Sequence, residues 1–140
     1  MLKAYIVTKV LIKKGNSFLI LKTLESNKNN DLSGWETPGG HLENNEEILE
    51  GLNREIMEET CLSIENITPY NVYITNIGKE DVTIGINYFA EYIDGDIKID
   101  KQEHSKYRWV SISEIRELTD SIGLQKEVDA YERYLIQKIK

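Results

Sequence analysis

The sequence contains little that would indicate a secreted, disulfide-bonded or membrane-spanning protein. One cysteine among 140 residues excludes an internal disulfide bond and is compatible with a reducing cytoplasm. The apolar stretch near the start is interrupted by Lys9 and Lys13, and no small-residue cleavage site follows it. We therefore expect neither a membrane helix nor a signal peptide, and we predict a cytoplasmic location.

Positive charge is also scarce. The chain has 17 Lys and Arg against 24 Asp and Glu, a formal net charge of −7. The basic surface that nucleic-acid binding requires is therefore not expected. Internal repeats, linkers and low-complexity tracts are absent from the sequence, so we interpret residues 1–140 as a single domain. The association state is left open, and a homodimer is one of the alternatives.

What the sequence does contain is a concentration of acids, eight of them between Glu36 and Glu59. If residues 46–60 form a helix, Glu55, Glu58 and Glu59 gather on one face beside an apolar stripe. Three carboxylates one turn apart repel one another unless cations lie among them. Mg²⁺ binds through one or two carboxylates plus water and phosphate oxygens, so the pattern indicates a metal site. The alternative is a solvated acidic helix face, which is the commoner use of such a segment.

The segment from Gly40 to Leu62, GHLENNEEILEGLNREIMEETCL, follows a Trp-Glu-Thr-Pro-Gly turn. It resembles the signature box of the Nudix hydrolases at every defined position except Cys61, where that family usually has Gly. This departure affects the expected left-handed helix cap rather than the ligands. The resemblance implies an α+β fold, an α/β/α sandwich around a mixed, mainly antiparallel central sheet.

The same resemblance implies a set of metal ligands. Glu55, Glu58 and Glu59 would hold Mg²⁺ or Mn²⁺, and the carbonyl of Gly39 would be a further ligand. Arg54, whose guanidinium has several donors in a fixed fork, would orient Glu46 or another carboxylate of the cluster. Gly51, between Glu55 and Glu58 on the helical wheel, would leave room for a ligand or for backbone.

Catalysis would also need a carboxylate as general base near the attacking water. The resemblance suggests Glu103, six residues before Trp109, and Glu58 is the alternative because the base differs among branches of the family. An exposed loop acid without a role is the competing interpretation of Glu103. His41 and His104 are isolated, so we expect surface groups or groups behind the ligands rather than ligands.

Alternating and β-branched segments predict strands over residues 4–12, 17–23, 70–77, 82–93, 97–99 and 107–110. Ser111 and Glu114 have the spacing of a capping box that begins a short helix, and a helical apolar stripe follows from Leu124 to Leu135. Trp35 is expected in the core rather than stacked on a base, and Lys22 in solvent rather than on a phosphate. Nucleobase contacts are not identified; Tyr5, Phe89, Tyr107 and Asp120 are the candidates.

The implied reaction is hydrolysis of a diphosphate linkage in a nucleoside diphosphate derivative. The leading hypothesis is a nucleoside triphosphate pyrophosphohydrolase that releases a nucleoside monophosphate and pyrophosphate, from oxidised or non-canonical nucleotides among others. One alternative is a pyrophosphatase acting on ADP-ribose or a dinucleotide. Another is a non-catalytic nucleotide-binding regulatory module, which would be expected to have lost box carboxylates.

Overall fold

A computed structural model describes residues 1–24 and 30–139 of the chain. The strands are β1 (Lys3–Lys14), β2 (Ser17–Thr23), β3 (Trp35–Glu36), β4 (Gly39–His41), β5 (Ser63–Thr75), β6 (Asp81–Asp94) and β7 (His104–Val110). The helices are α1 (Ile48–Thr60), α2 (Ile112–Glu117) and α3 (Ile122–Ile139). Within the described ranges, no helix is both long and apolar enough to span a membrane.

The strands form one mixed sheet in the order β3-β2-β1-β6-β5, with β4 added beside β1 and β7 beside β2. β1 and β6 pair in parallel, with Val10 opposite Tyr88, whereas the other pairings are antiparallel. The short strands β3 and β4 lie where β1 and β2 separate, because β1 and β2 are paired only near their shared turn. Most of the candidate site residues gather at this opening in the sheet.

Both faces of the sheet are covered by helices, which gives the expected α/β/α sandwich. Side chains alternate along a strand, so neighbouring residues of β1 enter opposite cores. Leu11 packs with α2 and α3 residues such as Ile115 and Val128. Val10 and Ile12 pack instead with α1, through Leu52 and Ile56 in the second core. The near-continuous apolar run of β1 reflects this burial on both sides.

Several element boundaries differ from the sequence-based expectations. Helix α1 begins at Ile48 rather than residue 46, and β5 begins at Ser63 rather than residue 70. The strand predicted over 97–99 is wrong. After the turn at Gly95, this segment runs to the end of α1, where the Lys98 N–H donates to the Thr60 carbonyl at 3.1 Å. The capping box of Ser111 and Glu114 is confirmed.

Helix α3 is joined to the β3–β4 turn by buried polar contacts. The Trp35 N–H donates to Ser121 Oγ at 3.1 Å, and the Thr37 hydroxyl lies 2.8 Å and 2.9 Å from the two carboxylate oxygens of Glu127. Glu127 is only 8% exposed. Burial raises its pKa from the usual 4.5 to about 7, although the Thr37 hydroxyl and the Lys9 ammonium oppose the rise.

We predict that Glu127→Gln stabilises the protein increasingly as pH rises. An unfolded carboxyl ionises near 4.5 and the folded one near 7, so the folded state binds more protons in that window and loses stability as pH increases through it. The advantage of the glutamine variant should grow by up to roughly 3 kcal/mol between these limits. Urea unfolding at pH 5 and pH 8 measures it. The exposed Glu117→Gln is the control, and an advantage independent of pH would contradict the prediction.

Candidate active site

The β3–β4 turn forms one wall of the site, and Gly39 determines its shape. Gly39 has a φ of +143°, a backbone conformation that residues other than glycine rarely adopt. A Cβ atom at this position would overlap the Thr8 carbonyl oxygen. Its N–H donates to Glu59 Oε1 at 2.8 Å. The close approach of β4 to β1 therefore holds a carboxylate of α1 against the turn.

Gly40 makes room for a second carboxylate of the same helix. A Cβ atom at Gly40 would lie 2.5 Å from the carboxyl carbon of Glu55 and 2.7 Å from both of its oxygens. Glu55 therefore occupies the space that any larger residue at position 40 would fill. The two consecutive glycines bring Glu55 and Glu59 to the same end of the sheet opening.

The Arg54 guanidinium holds the acids of the box in place. Its Nε donates to Glu46 Oε2 at 2.6 Å, and its Nη1 contacts Glu55 at 3.2 Å and Glu58 at 3.1 Å. Its Nη2 donates to the His41 carbonyl at 3.2 Å. The hydrogen bond from Arg54 lowers the pKa of Glu46, and the same bond raises the pKa of Arg54. These are the contacts that the predicted orienting role requires.

The space left by Gly51 has a different use from the one expected. A Cβ atom there would lie 2.8 Å from Leu42 Cδ1 and 3.0 Å from Glu46 Oε1. These two side chains, not a ligand, occupy the room. Gly51 thereby allows Glu46 to lie close to α1, where Arg54 reaches it.

Glu55, Glu59 and Glu103 line one open cleft of about 670 Å³, together with Gly39. Glu103 lies in the segment that leads into β7, more than forty residues after the end of the box in the sequence. The fold of the sheet places it beside the box. Glu58 is not among the lining residues. Its side chain is 56% exposed and contacts Arg54 outside the cleft. The structure therefore gathers most of the predicted site residues and leaves Glu58 beside them.

The acids of the cleft differ in how readily they ionise. Burial raises the pKa of Glu59 to about 7, despite the Gly39 N–H and the nearby Lys9. Burial also raises the pKa of Glu55. Glu36 behaves oppositely: burial opposes ionisation, but His104 and the Lys9 ammonium together lower its pKa to about 2. Lys9 Nζ lies 3.1 Å from Glu36 Oε2.

Sequence reasoning missed Glu36 and Lys9 as members of this cleft, and it did not place His104 inside it. His104 is only 4% exposed, with Nε2 at 3.9 Å from Glu36 Oε1 and Nδ1 at 3.6 Å from Glu59 Oε2. The signal for Glu36 was its position in the same turn as Gly39. His104 offered only its place next to Glu103, because its burial depends on the pairing of β7 with β2.

The donor set of the cleft fits a divalent metal ion. One ligand atom from each of Glu59, Glu103 and His104 lies within 4.8 Å of the others, and Glu55 lines the same space. Carboxylate oxygens are the ligands that Mg²⁺ and Mn²⁺ take in proteins. Burial raises the pKa values of Glu55 and Glu59 even though Arg54 contacts Glu55 and the Gly39 N–H donates to Glu59, so a bound cation would further stabilise their ionised forms.

Other candidates from the sequence lie elsewhere. Trp35 is 4% exposed, so its core assignment is confirmed. The expectation that Lys22 is solvated is wrong: it is 4% exposed, and its ammonium donates to the carbonyls of Asn30, at 2.9 Å, and Ser33. None of the four proposed nucleobase contacts lines the cleft, namely Tyr5, Phe89, Tyr107 and Asp120. Phe89 instead packs against Tyr131 of α3 in the core.

The protein has a mixed sheet between two helical layers, and its box helix presents carboxylates to a glycine turn. This is the architecture expected of a Nudix hydrolase. The family model of the NUDIX domain matches residues 3–132. The chain therefore belongs to the Nudix family.

Relatives with curated names are distant. The bis(5'-nucleosyl)-tetraphosphatase [asymmetrical] of Mus musculus is 30% identical over 88 residues, a match that spans 60% of each protein. The RNA pyrophosphohydrolase of Pelagibacter ubique is 24% identical over 140 residues, which cover 89% of this chain and 86% of that one. The mouse relative thus matches over only part of its own length.

Solved structures agree with the fold. The MutT protein of Methanosarcina mazei Go1 superposes with a TM-score of 0.74 at 27% identity, covering 99% of this chain and 98% of that one. A NUDIX hydrolase of Nitrosomonas europaea gives a TM-score of 0.74 at 21% identity, covering 94% and 90%. The second similarity supports the fold alone.

We predict that Gly40→Ala leaves the protein folded but weakens Mn²⁺ binding by at least about tenfold, the low end for displacing a group that orients a ligand. The atoms nearest the added methyl group would be the carboxyl carbon and oxygens of Glu55, so the methyl group would push the flexible end of that side chain away. Calorimetric titration with Mn²⁺ measures the affinity, and thermal unfolding checks the fold. Gly123→Ala, where the added Cβ would meet nothing within 4 Å, is the matched control. Unchanged affinity in the Gly40 variant would contradict this assignment.

Proposed function

We propose that this chain catalyses metal-dependent hydrolysis of a diphosphate linkage in a nucleotide, with a nucleoside triphosphate as the leading substrate. The observation that carries the proposal is the convergence of Glu55, Glu59 and Glu103 on one open cleft. An anionic diphosphate could approach so many carboxylates only with divalent cations between them. The cytoplasm is the proposed compartment, consistent with a single free cysteine.

In this proposal Glu55, Glu58, Glu59 and the Gly39 carbonyl hold Mg²⁺ or Mn²⁺. Bound there, the ion would lower the pKa of the attacking water and neutralise charge on the phosphate oxygens. Arg54 positions Glu55 and Glu58 through contacts of 3.2 Å and 3.1 Å. Glu58 is the most exposed of the three helix acids, so the carboxylate must turn from Arg54 toward the cleft or bind the ion at its edge.

Glu103 is the proposed general base, and its carboxylate has two oxygens, so one can contact the ion while the other accepts the proton. Its carboxylate lines the cleft and lies near Glu59, whereas Glu58 lies outside and contacts Arg54. Glu103 would accept a proton from the water that attacks phosphorus, and the bridging oxygen would leave with the other phosphate group. The exposed position of Glu103 leaves its side chain free to follow the substrate, because neighbouring groups do not pack it in place.

We predict that Glu103→Gln lowers kcat by at least about a hundredfold, the low end for loss of a general base. The amide retains the size of the side chain but cannot take the proton. Steady-state assays over a range of pH measure the effect, since loss of a base also removes the acidic limb of the profile. Glu65→Gln, an exposed acid on β5, is the control. A variant with near wild-type kcat and an unchanged profile would leave Glu58 as the base.

The triphosphate preference is the expectation that follows from the resemblance of the box, and the chain is also similar to a MutT protein over 99% of its length. The second candidate, a dinucleoside polyphosphate, rests on the relative named bis(5'-nucleosyl)-tetraphosphatase. ADP-ribose is a third candidate substrate, whose hydrolysis would use the same chemistry. A binding module without hydrolysis is disfavoured because the three proposed ligand acids of the box are present and two of them, Glu55 and Glu59, line the cleft.

We expect a panel of nucleotides with Mg²⁺ to give pyrophosphate and a nucleoside monophosphate from a triphosphate. A dinucleoside polyphosphatase would instead release two nucleotides, and an ADP-ribose pyrophosphatase would release AMP and ribose 5-phosphate. Chromatography of the products separates the three. EDTA should abolish turnover, because the carboxylates have no other means of binding the phosphates. Hydrolysis that persists in EDTA would contradict the proposed function, and stabilisation by nucleotides without any product would favour the binding module.

A further inference from the structure

The His104 imidazole carries a nitrogen that nothing in the described chain satisfies. Nδ1 is buried, has no hydrogen-bond partner, and belongs to a side chain that is 4% exposed. A polar atom buried in this way is costly, so an unpaired one in a folded protein calls for a partner outside the chain, such as a bound ion or an ordered water. Nδ1 faces the acid cleft, with Glu59 Oε2 at 3.6 Å, beyond normal hydrogen-bond distance.

The other ring nitrogen faces a carboxylate that is itself held in place. Nε2 lies 3.9 Å from Glu36 Oε1, and Lys9 contacts the other oxygen of Glu36 at 3.1 Å. Metal ions bind a deprotonated imidazole nitrogen, so an ion between Nδ1 and Glu59 Oε2 would require the ring proton on Nε2, the nitrogen that faces Glu36. Metal-binding histidines commonly have a carboxylate on the side of the ring nitrogen that does not bind the ion, which is where Glu36 lies relative to His104.

The oxygens that would complete such a site are already beside it. Oε1 of Glu59 accepts the Gly39 N–H at 2.8 Å, so Oε2, the oxygen nearest Nδ1, is the one left for an ion. Glu103 precedes His104 directly, and the ligand atoms of all three residues lie within 4.8 Å of one another. Because Glu103 is exposed, its carboxylate can move the remaining distance at little cost.

We propose that His104 Nδ1 is a nitrogen ligand of a divalent ion that Glu59 and Glu103 also bind, and that this site prefers Mn²⁺ to Mg²⁺. The inference rests on the proposed function only in requiring a bound ion. Imidazole is a good ligand for first-row transition metals, whereas Mg²⁺ takes almost entirely oxygen ligands. A site with this nitrogen ligand would therefore prefer a different metal ion from a site made of carboxylates alone.

Pulsed electron paramagnetic resonance of bound Mn²⁺ tests the nitrogen ligand without any activity measurement. The chain has two histidines, so the matched variants are His41→Gln and His104→Gln. In His104→Gln the side-chain amide can still donate to Glu36 but offers no imidazole lone pair. We expect ¹⁴N coupling to Mn²⁺ in the wild type and in His41→Gln, and its loss in His104→Gln. Mn²⁺ affinity should fall at least about tenfold in His104→Gln, and Mg²⁺ affinity less than about threefold.

The possible results separate this inference from the proposed function. Bound Mn²⁺ without ¹⁴N coupling in the wild type would overturn the histidine ligand and leave the hydrolase proposal intact. Coupling that survives in His104→Gln would do the same. Absence of any bound Mn²⁺ would overturn both. If His104→Gln does not fold, ¹⁵N-histidine labelling of His41→Gln decides the question, since only His104 can then change the signal.

Discussion

Repulsion among carboxylates is the constraint that governs this end of the molecule. Glu36, Glu55, Glu59 and Glu103 line the same cleft in a protein with a net charge of −7. The chain offsets part of this repulsion with fixed partners. Arg54 supplies positive charge at Glu55 and Lys9 at Glu36, and the Gly39 N–H donates to Glu59. Burial raises the pKa values of Glu55 and Glu59, so their ionised forms are costly without a cation, and a bound divalent ion would offset that cost.

The sandwich fold gives this arrangement its rigidity. Glu55 and Glu59 come from α1, and Glu103 is the residue just before β7. The sheet between the two helical layers is joined at its centre by the parallel pairing of β1 with β6. The glycine turn fits between β1 and α1 only because positions 39 and 40 lack side chains. Helix α3 fixes the same turn from the other face through Ser121 and Glu127. Binding geometry at the cleft therefore depends on packing far from it.

Local pattern was sufficient to predict the elements whose signals lie within a few residues. The box helix follows from spacing, the β1–β2 hairpin from two apolar, β-branched runs on either side of Gly15, and the start of α2 from its capping box. Contacts between distant segments were not predictable in this way. His104 and Lys22 are buried because β2 pairs with β7, and residues 97–99 are drawn to Thr60 rather than into the sheet. Cys61 takes the left-handed cap, with a φ of 62°, despite its side chain.

The central claim is that the acids of α1 and Glu103 form one metal site. Diffraction from crystals soaked in Mn²⁺, recorded near the manganese absorption edge, tests it directly by locating the ion. The account predicts an anomalous peak in the cleft within about 2.3 Å of carboxylate oxygens of Glu59 and Glu103, close to Glu55. A cleft without a peak at saturating Mn²⁺, with these carboxylates turned toward solvent in separate directions, would contradict it.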